Sequence, residues 1–143
     1  MMKGQSSIEL VMVIGMAMVL ASPFILTAQD SVLDLQTGSK LVRVESSLEK
    51  IESGINFVSK HSESTKTTFR VDVPSNVVNV QAEQFADQSA VVFQVRQRGK
   101  MTNRSRIFDD RVVLSNETLL EEQGKPEVAV ESWNGQINIS VVG

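Results

Sequence analysis

From Leu10 to Leu26 the chain runs seventeen residues without a charge. Carried on to Ala28, the run makes a helix of about 28 Å at a rise of 1.5 Å per residue. A bilayer hydrocarbon core is roughly 30 Å thick. A segment of this length and apolarity is incompatible with the surface of a water-soluble domain, so every reading of the chain must give it an apolar neighbour. Gly15, Ala17, Ala21 and Ser22 lie within the run and would let a second helix approach closely. Pro23 removes a backbone donor and can kink a helix, which apolar packing tolerates.

The helical pattern continues beyond the run. Leu41, Val44, Leu48, Ile51, Ile55 and Val58 recur at intervals of three and four, which is one apolar stripe on a helix. Lys40, Arg43, Glu45, Glu49, Lys50 and Glu52 fall between them and read as a solvated face. One helix from Gln5 to about Lys60 is expected. Gly38 and Gly54 each cost about 1 kcal/mol relative to Ala, so a bend is possible and two helices broken near Gly38 are the alternative.

From Lys66 onward the period changes to that of strands. Residues 67–73, Val77–Gln81, Ala90–Gln97, Arg106–Phe108 and Arg111–Leu114 read as strands, with turns at Arg98-Gly99-Lys100 and Asp109-Asp110. The clearest signal is Asn134-Gly135 between two alternating runs, a hairpin with a type I′ turn. Six or seven short strands in this span predict a small antiparallel sandwich or curled sheet, too small to bury much by itself. The stripe Leu41–Val58 supplies the missing apolar surface. The expected fold is α+β: a long N-terminal helix packed at its C-terminal half against a small antiparallel β-domain, its apolar end projecting free. The expected divisions are 1–4, a helix over 5–62 that is apolar to 28 and amphipathic beyond, and a β-domain over 63–143.

Composition removes several function classes. Net charge is −3 over 143 residues and the basic residues are dispersed, which argues against nucleic-acid binding. With no cysteine, disulfides, thiol catalysis and Cys-ligated zinc are excluded. The single histidine, His61, reads as a solvated surface residue. Asp109-Asp110 beside Arg111 reads as a turn, and Glu121-Glu122 as a solvated loop. The sequence carries no phosphate loop, nucleophile motif or metal-ligand spacing, so neither enzyme activity nor a cofactor is expected.

The residues before the apolar run decide among three readings of it. A secretory signal has a positive start, an apolar run of 7–15 residues and a small-residue cleavage site; here the run is longer and helical pattern continues past Ala21. A permanent anchor fits the length but leaves Glu9 at its mouth unexplained. The third reading rests on Lys3-Gly4-Gln5-Ser6-Ser7-Ile8-Glu9-Leu10, which resembles the processing site of archaeal type IV pilins with a class III signal peptide. That family has a short basic leader ending in Gly, then Gln, a Q-x-S-x-E pattern and an apolar helix. Gly4 and Gln5 match the residues flanking the cut, and Ser7 and Glu9 match the patterned Ser and Glu. Val13 stands where the family often has Leu.

The resemblance implies a chain cut by a prepilin peptidase at the cytoplasmic face, anchored in the cytoplasmic membrane with its N-terminus inside, and then assembled with identical subunits into a surface filament, with surface adhesion as its use. A carboxylate in hydrocarbon costs roughly 2.5–3.5 kcal/mol or more; the resemblance implies that Glu9 pairs with the free amino group of Gln5 on a neighbouring subunit. Lys3 before the run and Asp30 and Asp34 after it agree with that topology. An archaeal flagellum subunit and a membrane-anchored extracellular binding module are the alternatives. Three N-glycosylation sequons, at Asn103, Asn116 and Asn138, fall in the region assigned to the outside, where the composition alone would supply roughly one.

Overall fold

A computed structural model describes residues 3–61, 64–115 and 124–142. Helix α1 spans Lys3–Ser59. Seven strands follow among the described residues: β1 Lys66–Arg70, β2 Val77–Gln84, β3 Ser89–Gln97, β4 Lys100–Phe108, β5 Val112–Ser115, β6 Glu127–Trp133 and β7 Gln136–Val142. The fold is α+β. Gly38, the alternative breakpoint, lies within α1. The chain divides into two units, Met1–Gly38 and Ser39–Gly143, so the amphipathic half of α1 belongs with the strands.

In the second unit the strands form two sheets, a four-stranded one in the order β1-β6-β7-β5 and a three-stranded one in the order β2-β3-β4. All pairings are antiparallel except β5 with β7, which run parallel. The expectation of a wholly antiparallel domain misses this pair. The β6–β7 hairpin sets β7 between β6 and β5, and β5, which runs parallel to β7, is therefore antiparallel in direction to β6.

One core joins the helix to both sheets. Val44, Leu48, Ile51, Ile55 and Val58 are all buried, with Leu41 packed at the margin. They meet Val77 and Val80 of β2, Val91, Phe93 and Val95 of β3, Phe108 of β4, Val112 and Leu114 of β5, Val128 and Val130 of β6 and Ile137 and Ile139 of β7. Fully burying one such side chain contributes about 1.5–3 kcal/mol. The sheets are also tied by polar contacts around Val112. Its N–H donates to Ser89 Oγ at 3.0 Å, and its carbonyl accepts from Gln84 Nε2 at 2.6 Å.

Two features of α1 differ from the sequence expectation. Gly54 is no bend. A Cβ built there would lie 2.4 Å from Cε1 of Phe69 and 3.4 Å from Cγ2 of Val130, so the glycine lets a β1 ring close against the helix. The charged face is not wholly solvated either. Arg106 of β4 reaches Glu45 at 3.3 Å and Glu52 at 3.4 Å; the two carboxylates sit seven residues apart, two helical turns, on the same side. Ser47, buried beside the stripe, donates to the Asp72 carbonyl at 2.8 Å and accepts from the Asp72 N–H at 3.0 Å.

Strand β4 begins at Lys100, six residues before its expected start. It pairs with β3 along its whole length, from Gln97↔Lys100 to Ser89↔Phe108. The turn between them has Arg98 at φ 45° and Gly99 at φ 77°, the positive pair that a type I′ hairpin needs. Asn134 and Gly135, at φ 50° and 71°, make the equivalent turn expected between β6 and β7.

Candidate functional site: the apolar helix and its flanks

In the first unit every described side chain from Ser7 to Gln36 is exposed. The apolar residues point to all sides; Met12, Val19 and Phe24 are at least 70% exposed. At about 25 cal/mol per Å², leaving that surface in water would cost more than a small domain's whole stability. The helix is long and apolar enough to cross a membrane, and none of its apolar stretch is buried inside the protein.

Four of its hydroxyl side chains bond within the helix. Ser22 Oγ donates to the Met18 carbonyl, Thr27 to Pro23, Ser31 to Thr27 and Thr37 to Leu33, all at 2.8–2.9 Å. Such bonds to the preceding turn let hydroxyls enter an apolar medium without an outside partner. α1 stays helical through Pro23. At Gly15 nothing lies within 4 Å of an added Cβ. The glycine's cost of about 1 kcal/mol in a helix interior therefore has no compensation inside this chain, in contrast to Gly54.

Gly4 and Gln5 belong to the first turns of α1. Glu9 lies four residues beyond Gln5 and is exposed between Ile8 and Leu10. Among the described residues no group of three or more His, Cys, Asp or Glu is placed to hold a metal ion.

The three sequons have different fates. Asn103 is exposed on edge strand β4, with Arg104 and Ser105 also exposed. Asn138 is half-buried on β7, between β6 and β5, and its Oδ1 accepts from Ser115 Oγ at 2.6 Å. Asn116 lies outside the described residues, as do Glu121 and Glu122. His61 is exposed just past the helix end; its ring lies 4.3 Å from that of Phe57 and Nδ1 contacts the Phe57 carbonyl. Asp109 and Asp110 form the bend between β4 and β5, where Asp109 accepts from Gln88 Nε2 at 2.9 Å. Comparisons with protein-family models, curated proteins and solved structures find no match.

Proposed function

We propose that the chain is the precursor of a structural subunit of an archaeal type IV pilus-like surface filament, used for surface adhesion. One observation carries the reading: Lys3, Gly4, Gln5, Ser7 and Glu9 stand in that order directly before the uncharged run of α1, whose apolar side chains face outward on every side. A prepilin peptidase removes residues 1–4 at the cytoplasmic face, while the apolar helix holds the precursor in the membrane and the β-domain lies outside. The same helix then leaves lipid for a bundle of identical helices. Lipid tails and neighbouring Leu, Val, Ile and Met side chains are similarly apolar, so the transfer costs little and gains packing at small residues such as Gly15. A head-to-tail contact between copies that does not close on itself generates a helical filament. The role is structural and not enzymatic. Of the two described sequons, exposed Asn103 suits a glycan better than half-buried Asn138.

The test is the mature N-terminus together with electron microscopy of surface filaments. The expected result is a chain beginning at Gln5 in filaments that contain it. Gly4→Val should block cleavage, because a pocket shaped for a small residue before the cut excludes a branched one, and the full-length chain should stay in the membrane. A mature chain that begins at Met1, with no filaments, would replace this reading by that of a fixed membrane anchor carrying an extracellular binding module.

A further inference from the structure

The outer face of the four-stranded sheet carries a second feature, which stands whether or not the chain polymerises. Residues alternate along β6 and β7, and with Val128, Val130, Ile137 and Ile139 in the core, Glu131, Trp133, Gln136 and Asn138 project the other way. The register sets Trp133 opposite Gln136 and Glu131 opposite Asn138. On the far side of β7, Val113 lies opposite Asn138, with Ser115 two residues further along β5. These six residues line a concavity of about 400 Å³. Trp133, the only tryptophan of the chain, is 60% exposed at its rim.

We infer that this concavity is a binding site for a neutral saccharide. An exposed indole offers a flat apolar face with one polar edge, which suits the C–H face of a pyranose ring. The rest of the lining is mostly hydrogen-bonding: a carboxylate, two carboxamides and a hydroxyl against a single aliphatic residue, Val113. Carboxamides provide donors and acceptors side by side, and a carboxylate provides two acceptors, the pattern that vicinal hydroxyls need. Asn138 is oriented: with Oδ1 accepting from Ser115, its amide hydrogens are left for a ligand. The lone charge of the lining is the carboxylate of Glu131, which has Lys66 of β1 opposite it in register; no cation is among the six lining residues to hold phosphate or an acidic polymer. All six residues stand on paired strands, next to a two-residue turn, which is the rigid placement that hydrogen-bond selectivity requires. Strand spacing of about 4.8 Å and a two-residue step of roughly 6.6 Å give a patch that one or two sugar rings cover.

The experiment uses the full chain, made in a host without N-glycosylation and held in a zwitterionic detergent with no sugar headgroup. Trp133 emission is titrated with maltotriose, mannotriose and chitotriose in turn. At least one should give a saturable blue shift with Kd on the order of 1 mM or tighter. Gln136→Ala should weaken it at least about fivefold, the loss of one hydrogen bond, while leaving the circular dichroism unchanged. Emission that stays flat with all three sugars, with the Gln136 and Asn138 side-chain amide resonances unmoved, overturns the site. So does a blue shift that appears without sugar and is lost on dilution, which would make this face a contact between copies. A glycan found on Asn138 of the native protein would overturn it too, because it would fill the concavity from within.

Discussion

Gly54 and Ser47 carry more of the helix-to-sheet contact than their size suggests. The Phe69 ring lies where a Gly54 side chain would go. Gly54→Val should therefore displace the ring and destabilise the domain by about 1–3 kcal/mol, the usual cost of overfilling a packed contact. Gly54→Ala should cost less, since helix propensity returns about 1 kcal/mol. Thermal unfolding of the two variants in detergent checks the order; a Val variant as stable as the parent would mean the ring swings aside freely. Ser47→Ala removes one hydroxyl but strands two backbone groups of Asp72, the N–H and the carbonyl. Asp72 is half-buried, so the loss should fall below the roughly 1–3 kcal/mol of a fully buried unsatisfied group but exceed that of a surface Ser→Ala change, and hydrogen exchange at the Asp72 amide should speed up. The Arg106 pairs with Glu45 and Glu52 contribute less, since all three side chains are at least a third exposed and water screens them.

At the level of elements, the helix stripe and the strands stand or fall together. Ile51 is fully buried amid residues from both sheets. Ile51→Ala should cost about 2–5 kcal/mol, a large share of the 5–15 kcal/mol typical of a domain, and should be read as a lowered unfolding midpoint of the β signal in circular dichroism. An unchanged midpoint would place the stripe outside the core. Strand β4 shows the opposite case. Residues 100–105 show no apolar alternation, because an edge strand needs to bury little. Thr102, Arg104 and Arg106 share the inner face with Val95, Phe93 and Val91, yet only the last turn of the strand, at Phe108, enters the core. Its pairing comes from the Arg98-Gly99 turn and from β3.

For the whole molecule the central question is what covers the apolar helix, and Glu9 separates the answers. A fixed anchor has no use for a carboxylate beside Leu10, and Glu9→Leu would insert at least as well as the parent. In a filament, the ammonium of Gln5 enters an apolar bundle after cleavage, and an unpaired buried charge costs roughly 3–5 kcal/mol. Glu9→Leu should then be cleaved and inserted normally but yield few or no filaments, with processing followed by gel shift and filaments by electron microscopy in the same cells. Abundant filaments from the variant would remove charge pairing from the mechanism.

The sequence by itself determined the elements whose signal is local. The uncharged run, the stripe from Leu41 to Val58 and the Asn134-Gly135 hairpin are each legible because period and turn chemistry act over a few residues. Tertiary structure alone decided what depends on distant partners. The parallel pairing of β5 with β7 joins strands that are not neighbours along the chain. The role of Gly54 is set by a ring fifteen residues away, and the fate of Asn138 by Ser115 on the neighbouring strand. The outer-face cluster around Trp133 draws on three strands, so no window along the chain contains it; only the register of β5, β6 and β7 brings those side chains together.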